Sequence, residues 1–461
     1  MVQNISKKTT YIMISILMLG TFVAVLNQTL LTTALPSIMN QMSVSSSTAQ
    51  WLTTIFMLVN GIMIPITAFL IQKFSSRHLF ITAILFFTIG TMLCGFAPNF
   101  SLILVGRAIQ AMGAGIMMPL MQTVLFLVFP KEKRGQAMGL FGLVIAFAPA
   151  IGPSLSGWLV SQYDWRVIFY ILLVIAILDL ILALGFLKNV IDTTNPSLDI
   201  ISVVLSTVGF ATLLYGFSSA GNIGWSHPSV YLSVLVGLVT LGFFIRRQLK
   251  LKEPLLDVRV FKYRAFTINM VLVVIVFISF IGSMTILPIY LQSMNHFSAL
   301  ESGLALMPGG IIMGILSPIA GKIFDKFGAR ILSFTGLLIV AVTSFAFTQL
   351  QADTSFIYIS VTFGISMAAN AMVMMPLTTA ALNPLSQNLV PHGTAINNTI
   401  RQVAGAIGTA ILVTIMTTTA LDPSQHGVDG LVHGVRVTYG VLSITALIGS
   451  FMAILTPNQK N

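Results

Sequence analysis

The chain has 461 residues, of which 56% are hydrophobic and only 8% are charged, and its formal net charge is +11. A soluble globular protein carries about 25% charged residues, so this composition excludes an ordinary soluble domain and indicates an integral membrane protein, whose apolar surface is solvated by lipid. The single cysteine, Cys94, excludes an internal disulfide and a cysteine-based metal cluster.

Apolar segments long enough to cross a bilayer follow one another along the whole chain. A transmembrane helix needs about 20 predominantly apolar residues. The first such segment is too long for the apolar region of a cleaved signal peptide, so it is predicted to be a transmembrane helix. The fourteen predicted spans are residues 11–36, 50–72, 79–97, 101–128, 136–160, 167–187, 199–218, 229–246, 265–290, 299–321, 330–349, 354–378, 394–418 and 435–456.

The basic residues divide unequally between the two sides of the membrane that these spans define. If the N-terminus is cytoplasmic, most of the 23 lysines and arginines fall in cytoplasmic segments. Arg166 and Arg436 fall outside, and Arg107 and Arg401 fall within spans. Because short cytoplasmic loops carry an excess of Lys and Arg, we expect both termini to be cytoplasmic, and the positive charge to reflect topology rather than nucleic-acid binding.

An internal repeat indicates how the spans are grouped. The segment Gly321–Arg330, Gly-Lys-Ile-Phe-Asp-Lys-Phe-Gly-Ala-Arg, has a degenerate partner at Ala68–Arg77, Ala-Phe-Leu-Ile-Gln-Lys-Phe-Ser-Ser-Arg. The copies follow the second and the tenth span, whereas two six-helix halves alone would place them six spans apart. Two extra helices are therefore predicted between the halves, and parallel repeats of this kind are typical of transporters. The predicted units are an N-terminal six-helix bundle (1–190), two inserted helices with a cytoplasmic linker (191–262) and a C-terminal six-helix bundle (263–461).

The loop Gly321–Arg330 has the composition of a conformational latch. Glycine lets neighbouring helices approach closely, and an acid at a helix end pairs with nearby cations or caps the next helix N-terminus. Gln72 replaces the acid in the first copy, and an ordinary basic turn is the alternative interpretation. The residues expected to form the latch are Gly321, Asp325, Gly328 and Arg330.

The fourth span places Arg107 inside the membrane, with Gln110 one turn later on the same face. Burial of such a cation costs at least about 2.5–3.5 kcal/mol, so we expect it to face a polar interior or a partner. The alternative is an arginine that extends to the outer interface. In the fifth span, two prolines and several small residues predict a bend and tight helix packing, with or without a direct role in transport. These residues are Pro149, Gly152, Pro153 and Gly157.

Taken together, these features resemble the major facilitator superfamily, specifically its fourteen-helix drug:proton antiporter family, which includes lincomycin-resistance-type multidrug pumps of Gram-positive bacteria. The resemblance covers nearly the whole chain. The stretches that carry it are Leu26–Pro36, Arg107–Pro119, Gly152-Pro153, Gly321–Arg330 and His392–Gln402. It implies an all-α integral membrane protein with the major facilitator fold and fourteen transmembrane helices (six plus two plus six) in the bacterial cell membrane. The Gly-Pro element of the fifth span is characteristic of exporters in this superfamily.

One departure from the family affects proton coupling. Asn27 stands where many relatives have an aspartate in the first span, and asparagine cannot take up a proton in this way. The acids left as proton-coupling candidates are Asp179, deep in the sixth span, and Glu301, at the start of the tenth, with Arg107 as the cation that responds to them. The alternatives are a structural partner or a cytoplasmic contact for Asp179, and a helix N-terminal acid for Glu301.

Polar residues within other spans are candidates for lining a substrate cavity, although hydrogen bonding between helices is an equally simple role for many of them. The cavity candidates are Asn27, Gln28, Asn60, Gln110, Asn269, Asn370, Asn398 and Gln402.

The leading functional hypothesis is export of amphipathic or cationic drugs by alternating access, with protons moving inward. Export of an endogenous lipid, peptide or metabolite is the first alternative, and a membrane sensor or scaffold that transports nothing is the second. No Gly-x-x-x-x-Gly-Lys-Ser/Thr loop is present, so the proton gradient, rather than ATP or a cofactor, is the expected energy source. We expect a monomer in the lipid bilayer, with drug-like molecules and protons as its ligands, no metal site, no enzymatic activity and no nucleic-acid partner.

Overall fold

The computed structural model describes residues 7–457, which form helices and no β-strand. Fourteen of these helices are long and apolar enough to cross a membrane, which confirms the predicted fold class. Both chain ends, with Lys460, lie outside the described residues. The helices are α1 (Lys7–Met42), α2 (Ser46–Lys73), α3 (Ser76–Gly95), α4 (Phe100–Val128), α5 (Arg134–Gln162), α6 (Arg166–Phe186), α7 (Ile200–Ile223), α8 (Pro228–Lys250), α9 (Arg264–Ser293), α10 (Ala299–Phe327), α11 (Ala329–Phe347), α12 (Phe356–Leu382), α13 (Val390–Thr418) and α14 (Pro423–Ala453).

Several helices begin where a polar side chain satisfies the first free N–H groups. Ser45, Ser75, Asn99 and Ser355 each accept a backbone N–H from the first turn of α2, α3, α4 and α12. Such caps favour a defined start because the first four N–H groups of a helix have no partner inside it.

Several helices extend beyond the apolar segments that predict them, and α1 and α14 are two examples. Helix α1 continues through Pro36 to Met42, and α14 begins at Pro423 rather than at residue 435. The first part of α14 is polar, so hydropathy does not detect it, and Gly427 separates it from the rest with a non-helical φ of 59°.

The packing of the long helices forms two groups of six. In the first, α3 packs on α4 and α6, and α1 packs on α5 and α6; in the second, α10 and α11 pack on α12, and α9 packs on α12 and α13. The two groups meet along α5–α10 on one side and α2–α13 on the other, with α4–α13 between the bundles. The predicted unit boundaries near residues 190 and 262 stay predictions.

Helices α7 and α8 form a hairpin, and α7 packs against both α2 and α13. Asp199, the N-cap of α7, accepts hydrogen bonds from Arg247 of α8 at 2.6 and 2.8 Å. The Arg247 hydrogen bonds, together with those from Ser202, lower the pKa of Asp199 to about 2. Gln248 adds a 2.6 Å hydrogen bond to Ser202. These polar contacts close the hairpin beside the linker to α9.

Small residues bring α5 and α10 together along their length. A Cβ atom on Gly139 would lie 2.5 Å from the carbonyl oxygen of Ser317, and one on Gly310 would overlap Ala150. Backbones this close gain dispersion contacts that larger side chains would prevent. Helices α5 and α10 therefore form the most closely packed contact between the two bundles.

Candidate functional site

The two bundles are joined by polar contacts at one end, called here the basic end, where the segments after α2, α4, α6, α8, α10 and α12 lie and carry most of the lysines and arginines. Asp325, near the end of α10, accepts the backbone N–H groups of Gly135 and Gln136 at 2.8 and 3.0 Å. These donors belong to the first turn of α5, where the helix dipole favours a negative charge. The carboxylate of one bundle thus caps a helix of the other.

The other residues of the predicted latch occupy different environments. A Cβ atom on Gly321 would collide with the carbonyl oxygen of Gly135, so glycine is needed for this close approach. Gly328 ends α10 with a φ of 76°, a conformation that glycine adopts without strain. Arg330 is exposed, and no described carboxylate lies within ion-pair distance of it.

The first copy of the repeated loop makes a corresponding contact between bundles. The side-chain amide of Gln72, at the end of α2, lies 2.6 Å from Nε2 of His392 in the first turn of α13. The backbone N–H of Asp257 donates to Nδ1 of the same imidazole at 3.1 Å. Gln72 occupies the position that corresponds to Asp325, and α13 is the counterpart of α5 in the second group of six. The two copies therefore join the bundles at opposite sides of the basic end.

Further contacts between bundles lie deeper along α4 and α13. The hydroxyl groups of Thr123 and Thr394 are 2.8 Å apart, and Asn398 donates to Gln122 at 2.7 Å. Towards the other end, Gln402 donates to the carbonyl oxygen of Met57 on α2 at 3.4 Å. Two of the predicted cavity residues, Asn398 and Gln402, thus bridge the bundles in this conformation.

A cavity of about 530 Å³ lies at the basic end, beside the Gln72–His392 contact. The linkers after α6, α8 and α12 contribute most of its walls. Its acidic side chains are Asp192, Glu253 and Asp257.

Arg107 is the centre of a polar cluster inside the N-terminal bundle. Its side chain is fully buried, its Nε donates to the carbonyl oxygen of Leu52 at 3.2 Å, and its Nη1 donates to Gln110 at 3.0 Å. The guanidinium also lies 4.3 Å from the ring centroid of Phe56. Gln110 accepts a hydrogen bond of 3.3 Å from Asn27. Three of the predicted residues, Arg107, Gln110 and Asn27, are therefore in one network.

Asp179 is fully buried, and neither carboxylate oxygen has a hydrogen-bond partner among the described residues. A Cβ atom on Gly20 of α1 would lie 2.6 Å from Asp179 Oδ2, and 2.7 Å from the ring of Phe80 on α3. The acid is therefore enclosed by α1, α3 and α6 within one bundle, rather than placed at the contact between bundles. None of the ion pairs within residues 7–457 includes Asp179.

Glu301 lies in a different setting. It is exposed, and it forms a capping box with Ser298 at the start of α10: the Ser298 N–H donates to Glu301 at 2.8 Å, and the Glu301 N–H donates to the Ser298 hydroxyl at 3.2 Å. This is the helix-start role that the sequence allowed as an alternative, and it explains the acid without proton transfer.

The remaining cavity candidates are distributed over several helices. Asn60, Asn269 and Asn370 are buried, and each has a side-chain oxygen without a partner in the described part of the chain. Asn269 and Asn370 donate to carbonyl groups of their own helices. Gln28 is half-buried. Nothing brings this set together as one cluster.

The proline-containing part of α5 lies against α1. Pro149 and Pro153 stand inside a helix that runs without interruption from Arg134 to Gln162. A Cβ atom on Gly152 would collide with Thr29 of α1, whereas one on Gly157 would meet nothing within 4 Å. Close packing thus explains the glycine at 152 and not the one at 157.

Comparison with known proteins decides the family. Residues 17–409 match the family described as Major Facilitator Superfamily, which is more than half of the chain. The chain belongs to the major facilitator superfamily. It is therefore a multi-pass membrane transporter, as the resemblance in its sequence implied.

Individual members of the superfamily are similar over nearly the whole length. The chain is 52% identical to the uncharacterized MFS-type transporter YcnB of Bacillus subtilis (strain 168), covering 96% of this chain and 94% of that protein. It is 40% identical to the lincomycin resistance protein LmrB of the same organism, covering 98% and 97%. The crystal structure of the human organic anion transporter MFSD10 has a TM-score of 0.68 at 13% identity, covering 96% of this chain and 99% of that one, which shows the fold alone.

Sequence reasoning did not select several residues that this superfamily member places at or near the bundle contact. His392 and Thr394 are buried on α13, and so is Arg401. The sequence does contain a reason to select Arg401, because a cation within a predicted transmembrane span is a candidate functional residue. The partner of Gln72 had none, because the pairing of α2 with α13 is visible only in the fold.

Proposed function

We propose that this transporter exports amphipathic, drug-like molecules from the bacterial cell in exchange for protons, by alternating access. The observation that carries the proposal is the contact of Asp325 with Gly135 and Gln136, which joins the two bundles through a helix N-terminus. The basic end is the cytoplasmic end in this proposal, and the contact closes it. The 40% identity to a lincomycin resistance protein supports drug-like substrates.

Opening of the basic end requires several polar contacts to separate together. Hydrogen bonds to a charged group contribute about 1.5–3 kcal/mol and neutral ones about 0.5–1.5 kcal/mol. Summed one by one, the five hydrogen bonds of Asp325, Gln72, Thr123 and Asn398 with the opposite bundle stabilise the closed form by roughly 5–10 kcal/mol. Ligands that bind the open form more tightly by about 5.5 kcal/mol shift a two-state equilibrium from 1:99 to 99:1, so binding energies of this order are what opening requires.

Asp179 is the proton carrier in this proposal. Protonation would remove a buried charge that has no hydrogen-bond partner among residues 7–457. Helix α1 links this site to the contact between the bundles. The same helix approaches Asp179 at Gly20 and α5 at Thr29, while α5 packs on α10. A change in the charge of Asp179 would act on α1, and through α1 on the helix that Asp325 caps.

The test is efflux of ethidium, and separately of lincomycin, from cells that express the chain, with and without a protonophore. We expect efflux from cells with the wild-type chain, and we expect the protonophore to abolish it. Asp179→Asn should reduce the initial rate at least tenfold at equal protein in the membrane. Glu301→Gln is the matched control, because its carboxylate is explained by the capping box. Full efflux by the Asp179 variant, or efflux that is insensitive to the protonophore, would contradict proton coupling through this acid.

A further inference from the structure

Two neighbouring polar side chains on α13 lack partners although they are buried. Arg401 is 4% exposed, and its Nε and Nη2 have no acceptor among residues 7–457. Asn397, one turn earlier on the same side of the helix, is 0% exposed, and neither atom of its amide has a partner in that range. The two side chains therefore place several hydrogen-bond donors without partners, and the acceptor oxygen of Asn397, close together on α13.

The pair lies deep in the membrane and beside the contact between the two bundles. Arg401 is eleven residues beyond Val390, the first residue of α13, so it lies about 16 Å along the helix, near the middle of a hydrocarbon layer about 30 Å thick. Asn398 and Gln402, adjacent in sequence to the pair, contact the opposite bundle at Gln122 and Met57. Transporters built from repeats bind their substrates at this depth and at this boundary.

No carboxylate in the described part of the chain pairs with Arg401. The ion pairs of the described part join Arg166 to Asp164, Arg247 to Asp199 and Arg259 to Asp257, and none includes Arg401. The ring of Phe277, 5.2 Å from the guanidinium, stabilises the charge in part. Placing an arginine at the centre of a membrane costs more free energy than one ring contact returns. A residual cost therefore remains until an anion is bound.

Arg107 provides the contrast within the same chain. It is equally buried, but the carbonyl oxygen of Leu52 accepts a hydrogen bond from its Nε, and the side chain of Gln110 accepts one from its Nη1. Its Nη2 has no partner, so two of the three nitrogens of Arg107 are hydrogen-bonded. At Arg401, Nε and Nη2 both lack an acceptor among residues 7–457, and these two atoms form the planar fork that matches a carboxylate.

We propose that Arg401 and Asn397 form the head-group site for substrates that carry a carboxylate, so that the exported molecules include amphipathic anions. The guanidinium would donate two parallel hydrogen bonds to the carboxylate oxygens, and the Asn397 amide would donate a third. This proposal rests on the export function and specifies one class of substrate for it.

The probes are 2-naphthoate and 2-naphthamide, which share a ring system and differ in the charge of one planar group. Their affinities are measured from the thermal stabilisation of the purified protein over a range of ligand concentrations. We expect the wild-type protein to bind the carboxylate at least tenfold more tightly than the amide. Arg401→Gln should remove this preference and leave the affinity for the amide unchanged. Arg246→Gln, which removes an exposed cation at the end of α8, is the charge-matched control and should retain the preference.

Three outcomes would overturn the proposal. The wild-type protein could bind 2-naphthoate no more tightly than 2-naphthamide, or it could fail to bind 2-naphthoate at all. The third outcome is that Arg401→Gln weakens the binding of both ligands equally. The last would mean that Arg401 supports the fold, for example through buried water, rather than the ligand. If Arg401→Gln does not fold, Arg401→Lys keeps the charge but loses the fork and should reduce the preference at least threefold. Ethidium or lincomycin efflux without a carboxylate preference would refute this site alone, whereas absence of any efflux would refute the export function.

Discussion

The carboxylate of Asp325 lies 2.8 Å from the backbone nitrogen of Gly135, and this hydrogen bond joins the end of α10 to the start of α5. The acceptor is charged, the donor belongs to a helix N-terminus, and the two helices belong to different bundles. The contact can exist only while this end of the molecule is closed. In the proposed alternating-access cycle, its strength therefore contributes to the equilibrium between the form closed at the basic end and the form open there.

The first prediction is that Asp325→Asn shifts this equilibrium towards the form that is open at the basic end. The change removes the negative charge that two N–H groups share, at a cost of about 1.5–3 kcal/mol, which corresponds to a shift of roughly tenfold to a hundredfold. The measurement is the rate of maleimide labelling of a cysteine introduced at Thr394, in a background in which Cys94 is replaced by alanine. Labelling should be at least tenfold faster in the Asp325 variant, and ethidium efflux should fall.

The control for this experiment is Asp353→Asn, because Asp353 is exposed between α11 and α12, at the other end of the molecule. Asp353→Asn should change neither the rate of maleimide labelling nor the rate of ethidium efflux. If the Asp325 variant loses efflux while the labelling rate stays at the wild-type value, the acid acts in some way other than closing the basic end.

The second prediction concerns the glycines of α5 and α10. Gly321→Ala places a methyl group against the Gly135 carbonyl, so the helices must separate and the closed form loses stability. We expect ethidium efflux to fall at least fivefold, with the same gain in labelling at position 394. Gly157→Ala is the matched control, because its Cβ meets nothing within 4 Å and alanine is preferred to glycine in a helix by about 1 kcal/mol. Equal effects of the two substitutions would exclude close helix contact as the reason for Gly321.

The third prediction assigns a mainly structural role to Arg107. Arg107→Gln leaves the Leu52 carbonyl and the Gln110 side chain without their charged donor at a buried site. Loss of hydrogen bonds of this kind costs about 1.5–3 kcal/mol each, so the midpoint of thermal unfolding in detergent should fall by several degrees. Arg401→Gln should lower that midpoint less, since it breaks no hydrogen bond within the described part of the chain. The opposite order would show that Arg401 is the structural arginine.

The sequence predicts the overall fold well and the site only in part, for reasons that the residues make clear. Hydropathy predicts the fourteen spans because lipid imposes length and apolarity on each helix separately. The acid in Gly321–Arg330 indicates a helix-end contact, but it does not indicate that the helix is α5 of the other bundle. The lack of a partner at Arg401 is likewise a property of what surrounds it in space. The role of Glu301, by contrast, can be predicted from the sequence, because its capping box with Ser298 depends only on a spacing of three residues within the chain.

The last prediction uses the pair that closes the α7–α8 hairpin. Hydrogen bonds from Arg247 and Ser202 lower the pKa of Asp199 to about 2, whereas the pKa of an aspartate in an unfolded chain is about 3.9. A lowered folded-state pKa contributes stability that is fully present above the unfolded value and is lost as the pH falls through the folded one. The ion pair therefore stabilises the hairpin throughout pH 5–8, and its contribution disappears between about pH 4 and pH 2. Because the pair is partly exposed to water, its contribution is small.

The measurement is the thermal midpoint of the wild-type protein and of Asp199→Asn in detergent from pH 2.5 to pH 8. Asp199→Asn should lower the midpoint by a few degrees, by an amount that is constant above pH 5 and shrinks below pH 4. Asp192→Asn, in the linker before α7, is the control for removal of a nearby carboxylate. A difference that changes between pH 5 and pH 8 would mean that Asp199 titrates near neutrality, which its contacts with Arg247 oppose. In that case the hairpin, rather than Asp179 alone, would have to be considered as a source of pH dependence in transport.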